Sequence, residues 1–300
     1  MNRILKNCRS VVYLSNAIII LMLIWISMIV SGCGHDTDDS PSASAELPLS
    51  ANMSGNVTSS EVCNTLAEAG LSNVVVFNDW VLDFAGAAGT EAGLSDEWIP
   101  SGSLQPDISK CMDGWERHYD YSDADCRMTA FLLMDGLITS AKKDTEYDGT
   151  QLMFDVDAFN NVSKYDVIKK NIDLFTTLFG ERTPAEGEEP SAVFGSIWGE
   201  YGFSIQNDKA SLLNIVFYDP DFDQIFVGHS GILVETDQGL LFVEKLAFEQ
   251  PYQATKARDM EQLLGVLAKR SEYFGEEGKA GPFVYRNGEY LCELQNESEE

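Results

Sequence analysis

Apolar residues recur every three or four positions through most of the first half of the chain, which is the spacing of amphipathic helices. Residues 128–138 are apolar on nearly every side, and a helix of that kind lies buried at the centre of a domain. The sequence Ser-Asp-Ala-Asp before it has the form of a capping box, which predicts that this buried helix begins near Ser122. The same spacing predicts further helices over residues 60–69, 74–84, 108–118 and 163–179.

In the second half the apolar positions alternate with a period of two, which is typical of strands. Asp237-Gln238 joins two of these strands as a hairpin turn, and Asn287-Gly288 is placed to turn a terminal hairpin. Helices first and antiparallel strands afterwards predict an α+β fold, with the buried helix that carries Cys126 packed on the sheet. The predicted strands cover residues 212–218, 225–235, 239–246, 283–286 and 290–293, with a long helix over 254–273.

The N-terminus has a short basic segment, an uncharged run over residues 11–30, and the sequence Val-Ser-Gly-Cys ending at Cys33. This is the layout of a cleaved export signal. The cysteine at the cut point resembles a bacterial lipoprotein signal, which implies that Cys33 becomes the lipidated first residue of the mature chain. A permanent transmembrane anchor is the alternative, because 20 apolar residues can span a bilayer. Both interpretations place the rest of the chain on the extracytoplasmic face of the bacterial membrane.

Composition divides the remainder into three parts. Residues 33–58 are rich in Ser, Asp and Ala and predict a flexible tether, residues 59–295 form one α+β domain, and 296–300 are an acidic tail. Residues 1–32 hold three basic residues and no acid, so 17 Lys and Arg face 48 Asp and Glu in the mature chain, a net charge of −31. Such a charge excludes nucleic acid and anionic lipid as partners. No soluble partner can be deduced.

Neither the cysteines nor the acidic residues follow the complete pattern of a metal or cofactor site. Cys63, Cys111, Cys126 and Cys292 could form two disulfides in any of three pairings, and a Cys63–Cys292 link would join the ends of the domain. The carboxylates at 219, 221 and 223 have calcium-loop spacing but lack the glycine at the sixth position, so a solvated turn is the better interpretation. We predict no metal and no cofactor.

Two polar residues are brought together by the predicted hairpin. If the loop is Asp237-Gln238, Gly231 lies opposite Glu244, and His229 then shares a sheet face with Glu244 at a diagonal position. Side chains at such positions are within reach of a hydrogen bond. A loop one residue longer would turn Glu244 to the other face, so the prediction depends on the register.

Three motifs together resemble the NlpC-type cell-wall cysteine peptidases, which are papain-like enzymes: Asp-Cys-Arg at 125–127, His-Ser-Gly-Ile at 229–232 and Phe-Val-Glu at 242–244. The resemblance implies that Cys126 is the nucleophile, His229 the base and Glu244 the group that orients the imidazole. Tyr119 and Tyr121 stand where that family has an upstream aromatic residue near its nucleophile. The departures are an arginine after the cysteine, a glutamate for the usual histidine or amide, and a Cys-to-His interval of 103 residues.

A wider resemblance covers the mature chain. The stretches 226–231, 242–248 and 251–253 are similar to a family of uncharacterised lipoproteins from Gram-positive bacteria, known only as a domain of unknown function. It supports the surface location and the domain boundary and implies no activity.

Two functions from different classes follow. The first is a cysteine hydrolase that cleaves a peptide amide bond of the cell wall, with peptidoglycan peptides as substrate. The helix N-terminus favours a thiolate at Cys126, whereas the neighbouring Asp123 and Asp125 oppose it. The alternative is a non-catalytic binding or scaffolding lipoprotein, in which Cys126 is a core residue or half of a disulfide. His229 would then be satisfied by the backbone, and Glu244-Lys245 would be an exposed strand pair.

Overall fold

A computed structural model describes residues 47–274 and 281–296 of the chain. The motif ending at Cys33 and the acidic tail beyond Asn296 therefore lie outside the described residues. The domain includes residues before the predicted boundary at residue 59, because the first strand, Leu49–Ala51, is already part of the main sheet. All three residues of that strand are buried.

The main sheet has eight strands, and every pair of neighbours runs antiparallel. Its order is β10-β9-β5-β6-β7-β8-β1-β2, and β3 pairs with β4 in a separate two-stranded ladder. The central strands match the predicted alternation closely. The strands are β1 Leu49–Ala51, β2 Ile99–Pro100, β3 Ile138–Thr139, β4 Ser204–Ile205, β5 Ala210–Asp219, β6 Gln224–Thr236, β7 Gly239–Lys245, β8 Tyr252–Ala257, β9 Phe283–Arg286 and β10 Glu289–Glu293.

Most helices precede the central strands, so the predicted α+β class is confirmed. None of the helices in the two described segments is long and apolar enough to cross a membrane. The helices are α1 Asn56–Glu68, α2 Val74–Ala88, α3 Ile108–His118, α4 Cys126–Met134, α5 Met153–Asn161, α6 Asp166–Lys169, α7 Ile172–Phe179, α8 Pro190–Tyr201 and α9 Met260–Leu267.

Helix α4 is the predicted buried helix, and eight of its side chains are buried, from Cys126 to Met134. It begins later than expected, because Asp125 and not Ser122 is the N-cap: the Asp125 carboxylate accepts a hydrogen bond from the backbone N–H of Met128 at 2.8 Å. It also ends earlier, at Met134, because Asp135 has an extended ψ of 124°.

Two predicted helices are not continuous in the structure. The segment 163–179 divides into a 3-10 turn, α6 and α7, and the segment 254–273 begins as the strand β8 before α9 starts after its N-cap, Asp259. Strand β8 pairs with both β7 and β1, and these ladders outweigh the helical periodicity of its sequence. Helices α5 and α8 were not predicted.

The two faces of the sheet are covered by different elements. Side chains alternate along β7, so Glu244 and Lys245 point to opposite faces. Lys245 faces the helical layer, where its Nζ lies 3.4 Å from the ring centre of Phe84 on α2. Glu244 faces the C-terminal segment that follows α9. The main apolar core, to which α2, α4, α7 and α8 contribute, lies on the Lys245 side.

The terminal hairpin depends on its predicted turn. Asn287 and Gly288 both have positive φ, 50° and 79°, as a type I′ turn requires. The Asn287 side chain also accepts a hydrogen bond from the backbone N–H of Leu212, which ties the turn to β5. A Cβ on Gly288 would lie 2.2 Å from Cγ of Trp198 on α8, so the close approach of this helix needs glycine.

We expect Gly288→Ala to destabilise the fold by more than about 1 kcal/mol, because it adds both a positive-φ penalty and a clash with Trp198. Gly265→Ala is the matched control, since Gly265 lies in α9 with no atom within 4 Å of the added Cβ. It should stabilise by about 0.5–1 kcal/mol. Urea unfolding measures both; equal effects of the two variants would contradict the packing described for the turn.

Candidate functional site

The predicted register of the β6–β7 hairpin is confirmed. Thr236 pairs with Gly239 and Gly231 with Glu244, so the loop is Asp237-Gln238. As a result, His229 Nε2 lies 2.6 Å from Glu244 Oε2, and both side chains are buried. Two of the three predicted site residues are thus in direct contact.

Glu244 is held by more than His229. Arg270 donates from both terminal nitrogens to its carboxylate, at 2.8 and 2.6 Å, and Tyr273 lies 2.7 Å from the same guanidinium. Burial alone would raise the pKa of Glu244, but the charge and hydrogen bonds of Arg270, with a contribution from His229, lower it to about 2. Glu244 is therefore ionised at neutral pH, and His229 donates its Nε2 proton to it.

Cys126 makes a different set of contacts. Its Sγ lies 3.9 Å from the carbonyl oxygen of Gly228, and the residue is 4% exposed. Burial is the first cause that raises the pKa of this thiol to about 12, and the negative charge of Asp125 adds to it. At neutral pH Cys126 is a thiol and not a thiolate.

The expected thiol–imidazole hydrogen bond is absent between Cys126 and His229, both of which belong to the described part of the chain. The two side chains have different hydrogen-bond partners: the Cys126 thiol contacts the Gly228 carbonyl at the β6 bulge, whereas the His229 ring is engaged by Glu244. The structure joins His229 to Glu244 and leaves Cys126 outside that pair.

The glycines of the His-Ser-Gly-Ile region serve the packing of aromatic rings. Gly228 is the extra residue of a β-bulge, since the register of β6 against β5 shifts there. A Cβ on Gly228 would lie 2.4 Å from the ring of Phe217, and one on Gly231 would lie 2.5 Å from the ring of Phe242. Both positions thus need glycine for steric reasons that are independent of catalysis.

Arg127, which departs from the peptidase motif, connects three elements of the structure. Its Nη1 donates to the Val227 carbonyl at 3.0 Å, and its Nη2 lies 2.8 Å from Asp125 and 2.9 Å from Asp155 on α5. Burial and the neighbouring Asp125 raise the pKa of Asp155. The side chain therefore fastens the start of α4 to both the β6 bulge and α5.

A groove of about 760 Å³ opens between the end of α3, the loop that follows it, α5, and the loop after β7. Tyr119 and Tyr121, predicted on the substrate side, both line it, and Trp115 lies between them and the core. The other lining residues are Met112, Glu116, Asp120, Ser122, Asp123, Phe154, Asp157, Ala158, Asn161, Val162, Phe248 and Glu249.

The floor of the groove rests on a buried array of charges. Asp123 forms ion pairs with Lys164 at 2.8 Å and with Lys245 at 2.9 Å, and Lys164 also binds Asp83 at 3.1 Å. Lys245 and Glu244 are both buried, so the alternative interpretation of Glu244-Lys245 as an exposed strand pair is wrong. Burial lowers the pKa of Lys245 to about 8, against the opposing effect of Asp123.

The other residues considered in the sequence analysis, the cysteines and the acidic segment near Asp219, form neither a disulfide at Cys63 nor a metal site in the described part of the chain. Cys63, Cys111 and Cys126 are free thiols, so a Cys63–Cys292 link, one of the pairings left open by the sequence, is not formed. The acidic segment near Asp219 is a turn, in which the Asp219 carboxylate accepts a hydrogen bond from the Asp221 backbone. Within residues 47–274 and 281–296, no cluster of three or more His, Cys, Asp or Glu residues is arranged to hold a metal ion.

A family model described as "Domain of unknown function (DUF4300)" matches residues 49–291, from the first strand almost to the end of the last. The chain belongs to this DUF4300 family. The predicted membership in a domain family of unknown function is thus confirmed, and the match begins at the same residue as β1. No curated protein and no solved structure was found to match the chain.

Several residues of the site escaped the sequence analysis. Arg270 and Tyr273 contact Glu244 although they lie more than a strand and a helix away in sequence, and Lys164 reaches Asp123 from a separate turn. No local spacing links these positions. The available indication was the adjacent pair Glu244 and Lys245 at the end of an apolar strand, because a charged residue that is buried there requires a partner.

We expect Glu244→Gln to lower the free energy of unfolding by about 3 kcal/mol at pH 7, because it leaves the buried Arg270 guanidinium without its counter-charge. Glu235→Gln, which removes an exposed partner of Arg286, is the control and should cost less than about 1 kcal/mol. Urea unfolding measures both.

The cost of Glu244→Gln should shrink as the pH falls. The folded-state pKa of Glu244 is depressed, so its stabilisation is present above the unfolded value near 4.5 and is lost as the pH falls towards 2. An effect of Glu244→Gln no larger than that of Glu235→Gln at pH 7 would contradict a structural role.

Proposed function

We propose that this DUF4300 protein is a non-catalytic binding protein, lipid-anchored through Cys33 on the extracytoplasmic face of the bacterial membrane. Its ligand would occupy the groove lined by Trp115, Tyr119 and Tyr121. The observation that carries this proposal is the contrast between two sites: the groove is open and lined by aromatic residues, whereas the Cys126, His229 and Glu244 side chains are buried and already engaged.

The groove has the dimensions and chemistry of a ligand site. Its volume of about 760 Å³ falls within the range of small-molecule sites in proteins. Tyr119 and Tyr121 are partly exposed there, and Phe154 is 63% exposed at the rim beside Phe248, with ring centres 6.4 Å apart. Exposed aromatic rings around a concavity are favourable for binding, because a ligand removes their apolar surface from water.

Several features favour binding over hydrolysis. An activated cysteine needs a nearby base and a depressed pKa, and Cys126 has a raised pKa and a backbone carbonyl as its hydrogen-bond partner. Glu244 is neutralised by Arg270, and His229 is sandwiched between Glu244 and the Tyr273 ring, 5.7 Å away between ring centres. These contacts give the His229–Glu244 pair a structural role: it holds the segment after α9 against the sheet.

The reactivity of Cys126 tests the non-catalytic part of the proposal. Iodoacetamide at pH 6–8 should modify the half-buried Cys63 ahead of Cys126, which should react only when the protein unfolds. His229→Ala should leave the labelling of Cys126 in the folded protein unchanged. Peptide mass spectrometry of the labelled full-length chain gives both rates.

The hydrolase hypothesis makes the opposite prediction. Preferential labelling of Cys126 at mildly acidic pH, slowed at least tenfold by His229→Ala, would overturn the non-catalytic proposal. Cys63→Ser is a useful companion variant, because it removes the competing half-buried thiol without touching the contacts of Cys126.

The anchor is tested separately, because Cys33 lies outside the described residues. In a bacterial host that lipidates exported proteins, wild type should incorporate a fatty-acid label and Cys33→Ala should not. Cys8→Ala is the matched control and should be labelled like wild type, since residue 8 leaves with the signal. Equal labelling of wild type and Cys33→Ala would remove the lipid anchor from the proposal.

A further inference from the structure

The ionisable side chains that line the groove all carry the same charge. Besides its two tyrosines, the lining includes five acids and no lysine, arginine or histidine: Glu116, Asp120, Asp123, Asp157 and Glu249. A concave site lined by one sign of charge concentrates ligands of the opposite sign. Phosphate and carboxylate ligands are disfavoured there for the same reason.

Most of these acids have no counter-charge of their own. Asp123 is neutralised by Lys164 and Lys245, but Glu116, Asp120 and Glu249 form no ion pair within the described residues. Lys164 and Lys245 do not line the groove, because their ammonium groups are turned towards Asp123 beneath its floor. The excess negative charge therefore faces the open space.

Aromatic rings complete the walls. The ring centres of Trp115 and Tyr119 lie 4.2 Å apart, and those of Tyr119 and Tyr121 lie 5.4 Å apart, so the three rings form one continuous cluster. On the other side Phe154 and Phe248 make the rim. The negative faces of such rings attract a cation, and they also provide apolar contact for the body that carries it.

The chain already binds one ammonium group in this manner. Lys164 Nζ lies 4.6 Å from the ring centre of Trp115 and 5.7 Å from that of Trp80, while Asp83 and Asp123 bind it from the sides. Trp115 and Asp123 belong both to this cage and to the groove lining. An ammonium group between aromatic rings and carboxylates is thus compatible with the local structure.

We infer that the groove binds a small organic cation, an ammonium or guanidinium group carried on an apolar body. This rests on the proposed binding function and names its ligand class. The cationic group would lie near the unpaired Glu116 and Asp120, and the apolar body would contact Tyr121 and the Phe154–Phe248 rim.

Three probes that share a phenylethyl or benzyl body test the charge requirement: phenethylammonium, 2-phenylethanol and phenylacetate. Isothermal titration calorimetry on the full-length chain in a non-ionic detergent should show phenethylammonium binding at least ~tenfold more tightly than the alcohol, a factor that corresponds to about 1.4 kcal/mol. Phenylacetate should bind more weakly than the alcohol. A titration of detergent alone supplies the blank for each probe.

Variants locate the binding. The double variant Glu116→Gln with Asp120→Asn should weaken phenethylammonium at least ~fivefold and leave 2-phenylethanol unchanged. Asp113→Asn is the matched control, because this exposed acid lies on the same helix outside the groove lining and should not alter either affinity. Thermal unfolding of each variant checks that the fold is retained.

The outcomes separate this inference from the proposed function. Equal affinity for the amine and the alcohol, reduced by Tyr121→Ala, would overturn the cation assignment and leave a binding groove. Absence of binding by all three probes, or amine binding that the double variant does not weaken, would also overturn the cation assignment. The non-catalytic proposal is decided by the Cys126 labelling and does not depend on these titrations.

Discussion

The structure depends on two opposite charges buried side by side on one strand. Glu244 and Lys245 are adjacent on β7, and because side chains alternate, each enters a different layer of the protein. A buried charge is tolerated only when it is paired, so each residue fixes a separate part of the chain. Glu244 binds Arg270 and holds the segment after α9, and Lys245 binds Asp123 and holds the loop before α4.

The groove follows from the second of these pairs. Asp123 is positioned by Lys245 from the sheet and by Lys164 from a turn after α5, so the loop that carries Tyr119 and Tyr121 is fastened at its end. Trp115 contributes a further tie, since its indole N–H donates to the Tyr121 carbonyl at 2.6 Å. These contacts fix the loop that carries Tyr119 and Tyr121 as one wall of the groove. A fixed loop favours binding, because it loses little conformational entropy when a ligand binds.

The sequence predicted the contact between His229 and Glu244 correctly, but the role of this pair depends on the residues that surround it in the folded chain. The two-residue hairpin placed His229 beside Glu244, as the register predicted. Arg270 then satisfies the carboxylate, and the Cys126 thiol contacts the Gly228 carbonyl and not the imidazole. The glycines that completed the resemblance are required by the rings of Phe217 and Phe242. Short motifs on a sheet therefore need the facing layer before a chemical role can be assigned.

The sequence by itself determined the α+β class, the central strands, the hairpin register and the burial of α4, because these depend on local periodicity and on turn residues such as Asn287-Gly288. Only the tertiary structure decided that 254–257 is a strand, that Arg270 reaches Glu244, and that Lys164 and Lys245 converge on Asp123. Strand pairing and ion pairing between distant segments depend on which faces meet, and alternating polarity along one segment does not specify its partner across the core.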